Sequence, residues 1–448
     1  MATTVLSRTP SVGGDRDKWT FATWIKRSKI NTNESIFGAF SDGNNHTQIF
    51  WRGDNLEFSQ KDSSSVTALL QTKRLFRDPA AWYHLVFVWD SANASAGDRM
   101  RIYVNGSEET EFNSDTNPSS GLDSFINSTS YANEIGGLDS AEYFSGIMAH
   151  THFCDGQAYA ASDFGETDST SGIWVPNNSP SVTYGTNGFF LKYASGAEGT
   201  DSSGEGNDFT VSGTITQTQD TPENNFCTIN PLDDFFQEST YSNGSTKVVT
   251  ESGSAVYAFN TATMGVNSGK WYWEVKYTNS TAGGAFFYGV AAEMATSAST
   301  ELGQTVNQIG LLNNDTTRTN NTATAFGAGS YTTGDIMMCA LDMTNSRIFF
   351  GKNGVWMTPS AGSGGDPTDG TGNVALPTAV ASTPMGVYVP AFGPYVNASQ
   401  TYEVNFGNGY FGTTLDGTNA DDAGIGLFKY DVPAGYYALC TTNLGDQS

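Results

Sequence analysis

The chain has 448 residues, enough for two or three domains that each bury a core of their own. Only 15% of the residues are charged, 13% are aromatic and 50 are glycines, a composition typical of short strands joined by many turns. The net charge of −25 excludes nucleic acid and anionic membrane surfaces as partners, and no apolar stretch approaches the length of a membrane helix, so we expect no membrane insertion.

The distribution of acidic residues and the pattern of cysteines indicate the cellular compartment in which the protein folds. Residues 1–112 hold 13 basic and 13 acidic side chains, whereas residues 113–448 hold 8 and 33 and so carry the whole excess. The opening residues lack the apolar core of a secretion signal. The four cysteines form no metal motif and are expected to be buried reduced thiols: Cys154, Cys227, Cys339 and Cys440. These features predict a protein that is made and folded in a cytoplasm.

The first predicted module spans residues 10–165. An early strand contains Trp19 and Trp24, a strand over Trp82–Asp90 begins a hairpin that continues into Arg101–Gly106, and a closing strand lies within Tyr143–Gly156. The Asn-Gly pair at the end of the hairpin predicts a tight turn, because both residues tolerate positive φ. In this order, the segments resemble the laminin-G-like branch of the concanavalin-A-like jelly rolls. The resemblance implies a β-sandwich, and we expect Trp19, Trp24, Trp82 and Trp89 to share one buried face of it.

A loop-rich connecting trailer follows over residues 166–243, and parts of it recur in a C-terminal trailer over residues 411–448. Phe226–Asn230 is echoed by Leu439–Asn443, which places Cys227 and Cys440 at matching positions. The trailer resembles segments that follow laminin-G-like modules in structural proteins of marine tailed bacteriophages. The predicted domain organisation is therefore a sandwich followed by a trailer, and this arrangement occurs twice in the chain.

The second module spans residues 244–410. Its strand over Trp271–Tyr277 alternates, with Trp271, Trp273, Val275 and Tyr277 on one face and Glu274 and Lys276 on the other. The hairpin returns as Gly334–Asp342 and Arg347–Gly354, again with a terminal Asn-Gly. These segments, with Tyr388–Phe392 and Val404–Gly407, resemble the SPRY family. The resemblance implies a second sandwich that binds peptides or proteins and has no catalytic residues.

The predicted fold class is all-β: two concanavalin-A-like antiparallel jelly-roll sandwiches, each followed by a loop-rich trailer. Glycoside hydrolases on such a scaffold need paired carboxylates, and the spacing Glu-x-Asp-x-x-Glu is absent. We interpret Glu108–Glu111 as a solvated turn, and His150 and His152 as strand residues without a third metal ligand nearby. The sequence therefore predicts that the protein is not an enzyme.

Two loops are candidate sites. An oxygen-rich stretch with glycines for sharp turns is a candidate calcium loop, through Asp201, Glu205, Asn207 and Asp208. It lacks a closing glutamate, and the pattern favours the alternative, an acidic solvated loop. No other cofactor is expected. A loop with amide, carboxylate, aromatic and cationic groups is the candidate binding site, through Asp42, Asn44, Asn45, Trp51 and Arg52. Because the first module is neutral overall, it is the better candidate for an anionic host polysaccharide.

The leading functional hypothesis is a non-enzymatic surface protein of a bacteriophage virion, a tail-fibre, tail-tip or head-decoration component assembled in the host cytoplasm. It would bind a host cell-surface glycan or neighbouring virion proteins, and we expect a homo-oligomer because repeated weak contacts multiply avidity. The alternatives are a surface-polysaccharide depolymerase and a secreted lectin on the same scaffold.

Overall fold

Strands make up nearly all of the regular structure in the computed structural model, which describes residues 3–139, 141–250, 256–280, 286–327, 330–395 and 399–447. The chain divides into two units, Met1–Gln217 and Thr218–Ser448. Both are built from antiparallel sheets, so the predicted all-β fold class is confirmed. No helix in the described ranges is long and apolar enough to span a membrane.

The strands of the first unit are, in chain order, β1 (Val5–Arg8), β2 (Lys18–Arg27), β3 (Glu34–Asp42), β4 (Asn45–Arg52), β5 (Asn55–Asp62), β6 (Ser65–Thr72), β7 (Trp82–Asp90), β8 (Met100–Val104), β9 (Ser107–Glu108), β10 (Phe112–Thr116), β11 (Asn133–Ile135), β12 (Gly146–Asp155), β13 (Gly165–Thr167), β14 (Trp174–Pro176), β15 (Phe189–Leu191) and β16 (Thr210–Ser212). Short 3-10 helices lie at Ala96–Asp98 and Ala161–Asp163. One sheet has eight strands in the order β10-β6-β5-β4-β3-β11-β1-β16, and the other has six in the order β15-β12-β2-β7-β8-β9.

The strands of the second unit are β17 (Thr240–Ser242), β18 (Lys247–Val249), β19 (Asn260–Thr261), β20 (Lys270–Ser280), β21 (Phe286–Ala291), β22 (Gln308–Leu312), β23 (Thr316–Thr319), β24 (Thr322–Ala325), β25 (Ile336–Asp342), β26 (Arg347–Lys352), β27 (Val355–Trp356), β28 (Val374–Ala375), β29 (Val389–Pro394), β30 (Gln400–Asn405), β31 (Tyr410–Phe411), β32 (Thr414–Leu415), β33 (Asn419–Ala420), β34 (Leu427–Phe428) and β35 (Tyr437–Ala438). A 3-10 helix lies at Val380–Ser382, and helix α1 spans Thr441–Gln447. The larger sheet follows β17-β18-β30-β20-β25-β26-β27, with β28 beside β26 and β35 beside β20, and the smaller follows β19-β29-β21-β22-β23-β24.

The repeated hairpin occupies the same place in both units. The first copy is formed by β7 and β8 beside β2, and the second by β25 and β26 beside β20. In each copy the Asn-Gly pair has positive φ at both residues, as the turn chemistry predicts. The asparagine side chain also accepts a backbone N–H at the start of the long strand: Asn105 from His84 at 2.8 Å, and Asn353 from Ile336 at 2.9 Å. The same hairpin structure therefore occurs once in each unit.

The four tryptophans expected to share a buried face of the first unit are all buried, but they divide between two faces. Trp19 and Trp89 stack 6.2 Å apart in the core between the sheets. Trp24 and Trp82 belong to the opposite register of β2 and β7 and lie on the outer face of the six-stranded sheet. The expectation that all four share one face is therefore wrong, because strand alternation separates them. In the second unit Trp271 and Trp273 lie in the core, as predicted.

A C-terminal segment covers the outer face of the larger sheet in the second unit. Phe428 and Tyr436 pack there against Tyr272 of β20. Glu274, on the polar face predicted from alternation, is completely buried by this cover. Its carboxylate accepts hydrogen bonds from the backbone N–H groups of Lys429 at 2.9 Å and Tyr430 at 2.8 Å, and from the Tyr272 hydroxyl at 2.9 Å. Burial raises the pKa of Glu274 to about 7.

The two echoed segments pair with each other. Phe226 and Cys440 form an antiparallel bridge, and the Cys227 N–H donates to the Leu439 carbonyl at 2.9 Å. The segment around Phe226 therefore packs within the second unit. Residues 166–217 belong to the first unit and residues 218–243 to the second, so the predicted connecting trailer over 166–243 is not a separate body. The physical reason is strand pairing: within this stretch β15 joins β12 of the first unit, whereas β17 joins β18 of the second.

All four cysteines are buried thiols, as expected. Burial raises the pKa of the Cys154 and Cys339 thiols, which keeps them protonated and unreactive. We predict that a thiol reagent titrates almost no cysteine in the native protein and all four after denaturation. Rapid labelling of a native thiol, measured by mass spectrometry, would contradict this packing.

Candidate functional site

A cavity of about 320 Å³ opens on the outer face of the eight-stranded sheet in the first unit. Alternation along the strands decides which side chains reach it. On β4, Ile49 and Trp51 point into the core, whereas Gln48 and Arg52 line the cavity. The residues that line this groove come from β3 to β6 and from a wall after β11: Phe40, His46, Gln48, Arg52, Glu57, Ser59, Gln60, Lys61, Val66, Leu69, Leu138, Asp139, Ala141 and Glu142.

The register of the sheet arranges the groove floor in cross-strand rows. His46 is paired with Lys61 of β5, and Gln48 with Ser59. The Gln48 side-chain amide lies 3.5 Å from the Ser59 hydroxyl. These side chains project from neighbouring strands onto one face, so a ligand lying along β4 meets amide, hydroxyl and charged groups in succession.

The wall of the groove is formed by Leu138, Asp139, Ala141 and Glu142. It lies close to the sheet because Gly38 has no side chain. A Cβ atom at Gly38 would lie 3.1 Å from the Leu138 side chain and 2.8 Å from the Thr47 carbonyl. The Ser35 N–H donates to the Glu142 carbonyl at 2.6 Å, which holds the other end of the wall. Residue 140 lies outside the described residues.

The two ends of the groove differ in electrostatics. At one end the Arg52 guanidinium lies 4.4 Å above the Phe50 ring, with its Nε 3.4 Å from the Glu57 carboxylate. Glu57 also accepts a hydrogen bond from the Gln71 amide at 3.0 Å, so it is held in place. At the other end the His46 ring stacks on Phe40 at 5.8 Å. Burial lowers the pKa of His46, so its ring is neutral at pH 7.

The structure separates the residues of the predicted binding loop. Arg52 lines the groove, but Trp51 is fully buried against Phe76 with the Arg27 guanidinium 4.4 Å from its ring. The prediction that Trp51 contacts a ligand is wrong, because it has the opposite strand parity to Arg52. Asp42, Asn44 and Asn45 bond to one another in the β3–β4 turn, with Asp42 accepting from Asn44 N–H at 2.7 Å and from the Asn45 amide at 3.0 Å. That turn is about 24 Å from Arg52 along the strand.

Sequence reasoning missed most of the groove. His46, Gln48, Glu57, Ser59 and Lys61 line it, and none was a candidate. The signal was present in the alternation of β4 and β5, where polar side chains recur at every second position except at Phe50. Assigning each of these side chains to one face of the sheet requires the strand bounds and the register, which the structure supplies.

In the predicted calcium loop, backbone N–H groups already donate hydrogen bonds to the carboxylate oxygens of Asp201 and Asp208. The Asp201 carboxylate accepts backbone N–H groups of Phe190, Ser203 and Asn207 at 2.8–2.9 Å, and Asp208 accepts the Asp201 N–H at 2.8 Å. The Asn207 amide donates to the carbonyls of Thr186 and Gly188, while Glu205 is exposed. In the described ranges no three His, Cys, Asp or Glu side chains are grouped to hold a metal ion. The geometry favours a structural turn over a calcium site.

The other acidic and histidine candidates have structural contacts. Glu109 is mostly buried beside Arg74, at 2.9 Å, so the turn over Glu108–Glu111 is only partly solvated. His152 is buried in β12, next to an irregularity in its pairing with β2 that includes His150. His150 has a φ of 47° and lies in this bulge, and the rings of His150 and His152 both stack on Phe190.

Two family descriptions match the chain. The concanavalin A-like lectin/glucanases superfamily matches residues 3–161, and the SPRY domain matches residues 270–409. These matches confirm both predicted domain types and their order. The first match begins before the predicted boundary at residue 10 and includes β1, which pairs with β11. Lectin-like jelly-roll domains are therefore present, as expected of a protein that binds.

Several solved structures are similar to parts of this chain. The SPRY domain of human HERC1 is 19% identical, with 38% of this chain and 92% of that chain covered and a TM-score of 0.28. A native heptameric SAP-like pentraxin from Limulus polyphemus is 19% identical, with 36% and 73% covered and a TM-score of 0.27. Stonustoxin is 19% identical, with 40% and 27% covered and a TM-score of 0.28. No curated protein matches the chain.

Proposed function

We propose that the protein is a non-enzymatic binding protein whose first unit holds a saccharide in the groove on the eight-stranded sheet. The groove carries this proposal, because its floor offers amide, hydroxyl and charged groups from Gln48, Ser59 and Arg52, and the Phe40 ring lines its other end. Sugar hydroxyls bond to such polar groups, while sugar C–H faces pack on aromatic rings. The match of this unit to a lectin-containing superfamily supports the same function.

We propose a neutral saccharide in place of the anionic one expected from the overall charge of the module. The wall contributes the carboxylates of Asp139 and Glu142, and Arg52 is already partnered by Glu57. A strongly anionic chain would meet these carboxylates at short range, where screening by salt is weak.

Replacement of Arg52 by alanine is expected to weaken saccharide binding about 10-fold, the effect of one lost charged hydrogen bond. The measurement is a glycan array with the full chain, followed by calorimetry on the best neutral ligand. Lys73→Ala is the matched control, because Lys73 is an exposed cation of the same unit, paired with Glu111 at 2.8 Å outside the groove. Absence of any glycan ligand, or equal binding by the Arg52 variant, would reject the groove as the site.

We further propose that binding takes place on a virion surface, in a tail-fibre, tail-tip or head-decoration protein, with neighbouring virion proteins as further partners. The support is the sandwich-and-trailer plan, repeated in the chain, and the resemblance of the trailers to phage structural proteins. Mass spectrometry of purified particles tests the location. Light scattering tests the expected homo-oligomer, and a monomer at high concentration would argue against a self-standing fibre.

A polysaccharide depolymerase is the second candidate, because Glu57, Asp139 and Glu142 line one groove. Hydrolysis needs two carboxyl groups on opposite sides of the scissile bond. Incubation of the full chain with the polysaccharide that it binds separates the two functions. New reducing ends, abolished in Glu57→Gln, would establish the enzyme, and unchanged chains support the binding protein.

A further inference from the structure

Three of the four histidines of the chain gather on the outer face of the six-stranded sheet in the first unit. His84 lies on β7, and His150 and His152 lie on β12. This face is covered by residues 157–184, called the covering segment, which includes β13 and β14. The apolar contacts beneath it form a small cluster, separate from the core between the sheets, that includes Val86, Cys154 and Phe164.

His84 is a hydrogen-bond acceptor for the covering segment. The indole N–H of Trp174 donates to His84 Nδ1 at 3.0 Å, and the His84 ring stacks on Trp24 at 4.7 Å. An imidazole that accepts at Nδ1 must be unprotonated there. Protonation would therefore remove the bond to Trp174 and leave a buried cation in an aromatic environment.

His152 forms a second polar contact with the covering segment. Its Nδ1 lies 2.9 Å from the Tyr184 hydroxyl at the end of the covering segment, and its ring stacks on Phe190 at 4.0 Å. Phe164 of the covering segment packs on the same ring at 5.3 Å. Both histidines are almost completely buried, so each holds an aromatic side chain of the segment through a neutral ring.

The charged groups that act on these two rings oppose their protonation. Within the described part of the chain they are His150, Lys192 and the two histidines themselves. The other titratable groups around this cluster include Cys154, Tyr103, Tyr159 and Tyr184, together with Asp163 of the covering segment, whose charge acts on Cys154. Burial lowers the pKa of His84 to about 3 and that of His152 well below its usual value. Since both values lie below the 6.5 of an exposed histidine, docking is fully stable above pH 6.5 and is lost as the pH falls below it.

We infer that the covering segment is an acid-released strap: protonation of His84 and His152 detaches residues 157–184 from the sheet while the sandwich beneath stays folded. The local character follows from the separate apolar cluster, because the core between the sheets does not depend on the segment. Each histidine that takes up a proton in the detached form favours it about 30-fold at pH 5, and the two together about 1000-fold.

Amide hydrogen exchange of the full chain, corrected for the intrinsic rate at each pH, tests this inference. Between pH 7.5 and pH 5, protection of residues 157–184 should fall by about 100-fold or more, while β2 and β7 keep theirs. Protection that changes less than 3-fold, or that is lost at the same pH in the segment and in both strands, would overturn the inference.

The double variant His84→Asn and His152→Asn keeps an acceptor near each Nδ1 position but takes up no proton, so its segment should show no pH-dependent loss. His46→Asn is the matched control, because it removes the fourth histidine, on the other sheet, and should leave the loss unchanged. If the double variant retains the full pH-dependent loss, other groups release the segment and the inference fails. If it does not fold, the exchange profile of the unmodified chain decides.

Discussion

Replacement of Trp273 by alanine should lower the free energy of unfolding of the second unit by about 3–5 kcal/mol. The side chain is fully buried in the core between the sheets, where Cys339 of β25 is its register partner. Removal of the indole leaves a cavity that the surrounding strands cannot close, because both neighbours of β20 are hydrogen-bonded along their length. Denaturant unfolding followed by far-UV circular dichroism measures the change.

Trp273→Phe is the control for this variant. Phenylalanine keeps most of the apolar contact, and the Trp273 indole N–H has no hydrogen-bond partner in the described structure, so little polar interaction is lost. The phenylalanine variant should therefore lose less than half as much stability as the alanine variant. A loss below about 1 kcal/mol in Trp273→Ala would mean that this face of β20 is not core.

Replacement of Glu274 by leucine should destabilise the second unit by about 3–6 kcal/mol and release the C-terminal cover from the sheet. The carboxylate accepts from Lys429, Tyr430 and Tyr272, and leucine would leave all three donors buried without an acceptor. Each unsatisfied donor costs about 1–3 kcal/mol. The measurements are denaturant unfolding and the rate of proteolysis within residues 425–440.

Glu274→Gln separates the acceptor role from the charge. Its amide oxygen still accepts, so the loss should be at most about half of that in the leucine variant. It also lacks the carboxyl whose pKa is raised to about 7. In the native protein this raised pKa makes docking of the cover most stable below pH 4.5 and weaker as the pH rises through 7, and the glutamine variant should lack this dependence. Equal stability of the leucine and native proteins would show that the cover is held by apolar contacts alone.

The covering segment of the first unit and the C-terminal cover of the second unit determine which sheet face of each unit is free. In the first unit residues 157–184 lie on the six-stranded sheet, which leaves the outer face of the eight-stranded sheet for the groove. In the second unit the cover lies on the larger sheet. The proposed saccharide site therefore lies on the outer face of the eight-stranded sheet, where polar side chains line a cavity.

The sequence alone determined the fold class, the order of the two domain types, the repeated hairpin and the burial of Trp271 and Trp273. Each of these rests on local rules, namely strand alternation, turn chemistry at Asn-Gly and the order of short motifs along the chain. The similarity between Phe226–Asn230 and Leu439–Asn443 was also evident from the sequence. That the two segments pair with each other was not evident.

Only the tertiary structure decided which face of each strand is covered and which is free. Trp51 and Arg52 are adjacent in sequence, yet one is core and the other lines the groove, because neighbouring residues of a strand point to opposite faces. Glu274 has the pattern of a solvated residue and is buried because a segment more than 150 residues away along the chain packs over it. Burial of a polar face depends on such distant packing, and local sequence patterns do not encode it.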